Sequence, residues 1–334
     1  MQSSGKSSER INHHFSIAIH SLSEIVRLYH FDGKSYEAHC ILRLATQLVE
    51  ITEVKPLDRL KLLLQQGKVL VVDYFLCNTN AELLYSTIQR AREIAESLAD
   101  ERGMADVLSL LGQANYWVTL NSRTEADCLG RDYDESLVCH QKALELREAL
   151  GDTKGISESH FFLGTVYERL QNHDQALEHY VNALQIAEQH NHLYEKAEPT
   201  RHLAVFALMN DNLDDALTHA LRALEIREAV NFKPFLPLDH LLVSEIFLKL
   251  SELDNAMVHT QKAMGLAKEM DYQRMVASSL LSSGDIQLAQ NEEALARDCY
   301  EEALEIAKVL NLPFAIGRAV ERLSRLTEQR DHKQ

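Results

Sequence analysis

The sequence predicts an all-α protein, an α-solenoid in which paired helices stack into a right-handed superhelix. Three observations favour this class: a segment that returns every 40 residues, small residues at fixed positions of each copy, and only 12 Gly and 5 Pro among 334 residues. A repeat of this length holds two helices and a turn. Each copy is therefore expected to form one helical hairpin that stacks on its neighbours.

The returning segment is clearest in five copies. They read KALELREAL at 142–150, NALQIAEQH at 182–190, RALEIREAV at 222–230, KAMGLAKEM at 262–270 and EALEIAKVL at 302–310. The leading alanines, 40 residues apart, are Ala143, Ala183, Ala223, Ala263 and Ala303. A small side chain at this position lets neighbouring helix backbones approach closely, while the surrounding Leu and Ile side chains fill the core.

Three further columns keep the same period. Two consist of small residues, Ser136, Ala176, Ala216, Ala256 and Ala296 in one, and Gly164, Ala204, Ser244 and Gly284 in the other. The third consists of Gly151, Asn191, Asn231, Asp271 and Asn311. Residues of these last types tolerate the left-handed conformation that ends a helix, so this column predicts where each hairpin stops.

The earlier copies are spaced more widely. Ala91 lies 52 residues before Ala143, and the excess over the usual step predicts a loop at 121–132 between the helices of the third hairpin. The step from Ala45 to Ala91 is 46 residues, which predicts a longer connection around Pro56. The sequence thus predicts a flexible tail at 1–14, about seven repeats over 15–310, and a capping helix with a short tail at 311–334.

The fourth and seventh copies resemble the tetratricopeptide repeat. The family's marked positions are occupied in the fourth copy by Leu163, Gly164, Tyr167, Ala176, Tyr180 and Ala183, and in the seventh by Gly284, Ala296, Tyr300 and Ala303. The period departs from the commoner one of about 34 residues, and Val26 and Val72 occupy the glycine position of the first two copies. The resemblance implies a protein-binding module similar to those of adaptor proteins and of the sensor parts of bacterial regulators.

Composition narrows the partners and the compartment. With 34 basic against 50 acidic residues the formal charge is -16, which disfavours nucleic acid and anionic membrane surfaces. The five cysteines are an odd number without a CxxC pair, a pattern typical of a reducing compartment. No apolar run reaches the roughly 18 residues of a membrane helix. We therefore expect a cytoplasmic protein with neither a nucleic-acid nor a membrane partner.

Motifs for catalysis or cofactor binding are missing. The sequence contains no P-loop, dinucleotide fingerprint, HExxH, GxSxG or EF-hand string, so we expect no catalytic residue and no cofactor. One column, His179, His219 and His259 with Cys139 and Cys299 in the same register, resembles a ladder of metal ligands. Equivalent positions of stacked hairpins are about 8–10 Å apart, too far to share one ion. We interpret these side chains as packing residues and expect no metal site.

Two features near the predicted loop of the third hairpin, its acidic residues and a neighbouring aromatic pair, can each be interpreted in two ways. Its carboxylates Asp127, Asp132, Asp134 and Glu135 suit a solvated acidic loop, or else a weak cation or partner site, although their spacing is not that of a calcium loop. Nearby, Tyr116 and Trp117 are expected to pack in the core. The alternative is an exposed recognition surface, where aromatic side chains are enriched.

The first helix of each pair is expected to line the concave face. Candidate partner-binding residues beside the small column are Asp73, Gln113, Phe161, Thr165, Arg201, Leu241, Glu245, Leu281 and Asp285. Three columns along this face contain six acids and two arginines, which would suit a basic or amphipathic segment. The alternative is that an acidic chain carries carboxylates on every surface. These columns contain no Lys and no Asn, so the family's clamp for a terminal carboxylate is not matched.

Taken together, these features predict a scaffold that binds a partner protein, peptide or helix in its concave groove. The alternative is a regulatory sensor, in which a signalling peptide or small ligand changes the superhelix and thereby controls an output protein. Neither function requires catalysis, and no enzymatic activity is expected.

Overall fold

The computed structural model describes residues 2–51, 54–122 and 133–331, and over these ranges the protein is helical without a strand. The helices are α1 (Gln2–Phe31), α2 (Ser35–Val49), α3 (Pro56–Cys77), α4 (Ala81–Leu98), α5 (Glu101–Asn121), α6 (Asp134–Ala149), α7 (Thr153–Arg169), α8 (His173–Gln189), α9 (Leu193–Met209), α10 (Leu213–Ala229), α11 (Leu236–Lys249), α12 (Leu253–Glu269), α13 (Gln273–Ala289), α14 (Glu293–Val309) and α15 (Pro313–Asp331). A 3₁₀ turn, Lys233–Phe235, precedes α11.

Consecutive helices pair from α1–α2 to α13–α14, and each second helix packs on the first helix of the next pair. The described residues thus form seven hairpins, and α15 covers the last of them against α14. This confirms the predicted all-α solenoid with a C-terminal capping helix. Within the same ranges, no helix has both the length and the apolar character needed to cross a membrane.

The left-handed residues that end helices recur twice in each of the last four repeats. The predicted column is left-handed throughout, for example at Asn191 with φ 54° and Asn311 with φ 51°. The same conformation occurs halfway between these positions, at Gln171, Asp211, Ser251 and Asn291. In each case the next N–H reaches back into the helix, as from Asn172 N to Tyr167 O at 2.9 Å. This second column was not predicted, because Gln and Ser are not typical of that conformation.

The small columns are buried where the paired helices meet. Ala143, Ala183, Ala223, Ala263 and Ala303 are all fully buried. At Gly284 an added Cβ atom would lie 2.4 Å from Tyr300 Cε1, and at Gly164 it would lie 2.6 Å from Tyr180 Cε1. The tyrosine ring of each second helix therefore fills the space that the missing side chain leaves on the first, which explains why the two residues occur together in these repeats.

The N-terminal segment differs from the prediction, and most of the predicted loop lies outside the described ranges. The segment expected as a flexible tail at 1–14 continues α1 from Gln2, because it contains no proline and a single glycine, Gly5, that could interrupt the helix. The predicted loop at 121–132 lies outside the described residues except for Asn121, the last residue of α5, and Ser122. The longer connection before the second hairpin ends where Pro56 starts α3, a position that suits its fixed φ.

The first two repeats contact the last three across the concave side. Leu76, near the end of α3, is fully buried in the same cluster as Tyr272, Met275 and Val276 of the seventh repeat. Asn78 Nδ2 donates to the carbonyl oxygen of Leu310 at 3.2 Å. The concave side is therefore enclosed by contacts between the two ends of the chain, which the repeat pattern did not predict.

The end of α1 makes a second contact of this kind. The ring of Phe31 packs against Phe232 and Tyr194, with ring centroids 5.0 and 5.5 Å apart. Asp32 forms an ion pair of 2.5 Å with Lys233 in the 3₁₀ turn before α11. Aromatic and charged side chains thus join the first repeat to the fifth and sixth.

Glycine-to-alanine substitution should separate packing from helix propensity. Gly284→Ala should lower the free energy of unfolding by about 1–3 kcal/mol, because the new methyl group has no space beside Tyr300. Gly265→Ala is the matched control in α12, where nothing lies within 4 Å of an added Cβ atom. It should raise stability by roughly 0.5–1 kcal/mol through helix propensity. Chemical denaturation of both variants checks this, and equal stabilisation by both would contradict the close packing.

Truncation of Leu76 should open the protein without unfolding its repeats. Leu76→Ala removes buried contacts between the second and seventh repeats and should increase the radius of gyration measured by small-angle scattering. Leu42→Ala is the control, since Leu42 is also buried but packs within the first repeats. Each change should cost about 2–5 kcal/mol. Equal dimensions of the two variants would show that the contact does not hold the ends together.

Candidate functional site

The enclosed interior contains a cavity of about 180 Å³. Apart from Ala303 of α14 and Leu312 just before α15, its lining comes from α3, α5, α7, α11, α13 and α15. These are first helices of hairpins and the capping helix, the elements expected to form the inner face. The apolar wall consists of Phe75, Leu120, Leu238, Met275, Ala277, Leu281, Leu312, Phe314 and Ala315, and the polar groups are Asn121, Arg169, Arg274, Ser278 and Arg318.

Among the predicted groove residues, Leu281 lines this cavity. Three others are buried and bonded within the chain. Asp73 accepts from Ser35 Oγ at 2.8 Å and lies 2.6 Å from His39 Nε2. Gln113 donates to Ser109 Oγ at 3.3 Å, and Thr165 donates to the carbonyl oxygen of Phe162 at 2.7 Å. Asp73 therefore joins α3 to α2, while Gln113 and Thr165 bond within their own helices.

The remaining predicted groove residues are divided between packing and solvent. Asp285 accepts from both Arg322 of the capping helix and Tyr300, at 2.7 and 2.8 Å. Phe161 packs on His202 with ring centroids 5.4 Å apart. Arg201 pairs with Glu198 at 3.0 Å and Leu241 is half-buried, which leaves Glu245 as the exposed member of the set.

Buried arginines neutralise the acids of the inner face. Arg147 of α6 is 2% exposed and pairs with Asp106 and Glu158 at 3.0 and 2.6 Å. Arg227 occupies the equivalent position of α10, 80 residues later, where it pairs with Glu198 and Asp239. Burying these charges is tolerated because each guanidinium meets two carboxylates.

The same contacts set the charge of these acids. Burial acts to raise the pKa of Glu198, but Arg201 and Arg227 together lower it to about 2. Four of the six carboxylates that suggested a basic or amphipathic partner are thus already paired with arginines inside the chain: Asp106, Glu158, Glu198 and Asp285. Their number along the inner face does not by itself make that face attractive to a cation.

The histidine column forms pairs inside hairpins and not along the superhelix. His160 Nδ1 lies 2.8 Å from His179 Nδ1 in the fourth repeat, and His240 Nδ1 lies 3.1 Å from His259 Nδ1 in the sixth. Burial lowers the pKa of His179 and of His240 to about 4, so these rings are neutral at pH 7. In the described part of the chain, no group of three or more His, Cys, Asp or Glu side chains is arranged to hold a metal ion.

The aromatic pair near the predicted loop is part of the core. Tyr116 is 6% exposed, and its hydroxyl accepts from Arg169 Nε at 3.0 Å. Trp117 packs on Phe75, with ring centroids 4.1 Å apart. Asp134 and Glu135 are exposed in the first turn of α6, while Asp127 and Asp132 lie outside the described residues.

Sequence reasoning missed the cationic groups of the cavity. Arg274 lies one helical turn before Ser278, outside the three columns assigned to the groove. Arg169 and Asn121 lie at the ends of α7 and α5, where a periodic pattern gives no reason to expect an inward direction. Arg169 and Asn121 lie near Arg274 because the two ends of the superhelix are in contact. No local sequence pattern predicts that contact.

A buried histidine beside the Arg147 network should make stability depend on pH. His140 is fully buried with no hydrogen-bond partner at either ring nitrogen, and burial lowers its pKa to about 3. Below pH 6.5 the His140 ring is therefore protonated in the unfolded chain, whereas in the folded chain it stays neutral down to about pH 3. The contribution of His140 to the free energy of unfolding is fully present above pH 6.5. At pH 5 this contribution should be about 2 kcal/mol smaller.

Replacement of that ring isolates its contribution. His140→Phe keeps an aromatic ring against Phe162 and should reduce the loss of stability between pH 7 and pH 5. His20→Phe, on the exposed side of α1, is the control and should leave the loss unchanged. The two variants are compared by urea denaturation at both pH values, and identical pH dependence would refute the assignment.

Comparison with known proteins agrees with this geometry. Family models described as tetratricopeptide repeat match residues 119–189 and 277–309. These two stretches of the chain are tetratricopeptide repeats. No curated protein matches its sequence.

Solved structures share the fold over almost the whole chain. A Rap protein complexed with competence and sporulation factor is 15% identical, with a TM-score of 0.55, and the match covers 96% of this chain and 100% of that one. Aspartyl phosphate phosphatase F from Bacillus subtilis is 13% identical, with a TM-score of 0.53 and coverage of 93% and 94%. NprR in complex with its cognate peptide NprX is 13% identical, with a TM-score of 0.54 and coverage of 99% and 84%. At these identities the likeness shows the fold alone.

Proposed function

We propose that this protein is a peptide-responsive regulator, in which a short peptide binds in the enclosed interior and stabilises the closed superhelix. The fold itself supports a protein-interaction or peptide-sensing role. Among the structures that share it, the Rap protein is in complex with competence and sporulation factor, and NprR is in complex with its cognate peptide NprX. The proposal that a peptide stabilises the closed form is supported by the arrangement of the interior.

The observation that carries the proposal is a cavity built from both ends of the solenoid. Its lining includes Phe75 of the second repeat, Leu281 of the seventh and Phe314 of the capping helix. A ligand can contact all three side chains only while the ends of the solenoid are in contact. It loses part of these contacts when the ends separate. A ligand shifts a conformational equilibrium by its difference in affinity for the two states, so such an occupant favours closure.

The connections between the ends suit a reversible contact. Between α1 and the fifth and sixth repeats they consist of a few aromatic side chains and the ion pair of Asp32 with Lys233. Asp32 is partly exposed, and exposed ion pairs contribute about 1 kcal/mol or less. Closure therefore depends on a small set of contacts, which a bound peptide can reinforce.

The alternative is a scaffold that binds a partner helix without a change of shape. Exposed apolar side chains along α1 and α2, including Leu28 and Leu44, favour an outer binding surface for such a partner. In either case we propose binding and not catalysis, because the strongly shifted carboxylates Glu198 and Glu168 are engaged by Arg, His and Tyr side chains of the chain itself. The acidic charge and the cysteine pattern support a cytoplasmic protein with a protein or peptide partner.

Selection from a random peptide library, followed by scattering, tests the proposal. Peptides selected on the wild-type chain should lose at least about tenfold in affinity for Leu281→Trp, whose larger side chain fills the cavity. Leu295→Trp is the control, since Leu295 is 49% exposed on α14. A bound peptide should also reduce the radius of gyration of the Leu76→Ala variant.

Two outcomes would contradict the proposal. If the selected peptides bind Leu281→Trp as well as the wild type, they bind outside the cavity. If they bind in the cavity but leave the dimensions of Leu76→Ala unchanged, the interior binds a ligand without closing the superhelix.

A further inference from the structure

The cavity carries a positive charge in a strongly acidic protein. Its lining includes the three arginines Arg169, Arg274 and Arg318 and, among the described residues, no Asp, Glu, His or Lys. The chain as a whole has a formal charge of -16. Elsewhere on the inner face Arg147 and Arg227 each meet two carboxylates, whereas Arg169 and Arg274 have no ion pair with a described carboxylate.

Arg274 is the least compensated of the three. Its Nη2 donates to Asn121 Oδ1 at 2.8 Å, and its guanidinium carbon lies 5.5 Å from the centre of the Phe75 ring. Its Nε is buried without a hydrogen-bond partner. Burial lowers the pKa of Arg274 to about 10, and the groups that oppose this shift are Cys77 and Tyr74. Among the described residues it has no carboxylate partner, which leaves a buried cation and an unused donor.

The groups around Arg274 are held in place. Asn121 is 6% exposed, and its Nδ2 donates to the carbonyl oxygen of Tyr74 and to Asn78 Oδ1, both at 3.3 Å. These bonds direct its Oδ1 towards Arg274. Arg169 bonds to the neutral hydroxyl of Tyr116 and has no ion pair with a described carboxylate. A ligand would meet an arranged set of donors.

The partial charges at the helix ends do not cancel the positive charge of the arginines that line the cavity. The first turns of α13 and α15 reach the cavity, with positive ends, and so do the last turns of α3, α5 and α7, with negative ends. A helix end carries about half an elementary charge. Helix ends of both signs therefore largely compensate one another, and the formal charges of the arginines decide the potential.

We propose that this cavity binds a carboxylate that carries an aliphatic group, with Arg274 as its principal anchor. The planar guanidinium offers the unused Nε–H beside its Nη–H groups, a geometry that matches a carboxylate. Leu238, Leu281 and Phe314 provide the apolar wall for the aliphatic part. The volume of about 180 Å³ is several times larger than a water molecule requires and suits one amino-acid side chain.

This inference deepens the proposed function and rests on it for the access of ligands to the interior. It adds the chemistry of the group recognised, which the enclosed shape alone does not specify. Two sources supply that chemistry, the carboxyl end of a peptide and a small aliphatic acid. Both place one carboxylate beside Arg274, and they differ in the acylamino group that a peptide end carries.

The single tryptophan of the chain is a built-in reporter of binding. Trp117 packs on Phe75, which lines the cavity, so its fluorescence should change when a ligand reaches that wall. The probes are N-acetyl-leucine, its uncharged amide N-acetyl-leucinamide, and 4-methylpentanoate. N-acetyl-leucine should bind at least about tenfold more tightly than the amide, since hydrogen bonds to a charged group are the stronger ones. Tighter binding of N-acetyl-leucine than of 4-methylpentanoate identifies a peptide end as the preferred source, and the reverse identifies a small acid.

Substitution of the anchor completes the test. Arg274→Gln keeps a donor for Asn121 and should abolish the preference for the carboxylate over the amide. Its melting temperature should stay the same or rise, because an unpaired buried cation is removed. Arg325→Gln, an exposed arginine of α15 paired with Glu321, is the matched control and should bind like the wild type.

The inference is overturned if the acid and the amide bind equally to the wild type, if neither binds at millimolar concentration, or if Arg274→Gln keeps the preference. These results leave the proposed function intact as long as library peptides still require an unfilled cavity at Leu281. Loss of peptide binding by Leu281→Trp together with unchanged binding by Arg274→Gln would show that the interior recognises apolar side chains without the charge.

Discussion

The close approach of paired helices at their small residues is the constraint on which the architecture depends. Where Gly164 or Gly284 faces a tyrosine ring, and where Ala183 and its equivalents are fully buried, two helix backbones pack at a short and constant distance. A constant distance within each hairpin gives a constant step from one hairpin to the next. The six steps between seven hairpins carry the chain around far enough for its first repeats to reach its last ones.

Closure changes the role of the inner face. In an open superhelix the first helices would present their carboxylates to solvent and to a partner. Here Arg147 and Arg227 extend from second helices to the inner face and pair with the acids there, so the charged interior is part of the structure. Buried ion pairs of this kind contribute modestly to stability, but loss of either partner is costly, and this fixes the position of the helices that carry them.

The cavity is the exception to this pairing. It lies where α3 and α5 meet α13 and α15, and two of its arginines, Arg274 and Arg169, bond to an amide and to a tyrosine hydroxyl beside apolar side chains. Because its two sides belong to distant repeats, whatever binds there is coupled to the contact between the ends of the solenoid. Binding and shape are thus linked by geometry, which is the property that a regulator requires and a rigid scaffold does not.

The sequence by itself determined the helical class, the repeat and the end of each of the last five hairpins, because these depend on small side chains and left-handed residues at fixed local spacing. It also assigned the inner face to the first helices, and Leu281 lies there. Only the tertiary structure decided that the ends meet, that the acids are paired, and that Arg274 reaches Asn121 across 153 residues. The physical reason is that curvature accumulates in small increments over many repeats. A repeat pattern specifies each step, while the meeting of the ends depends on the sum of all of them.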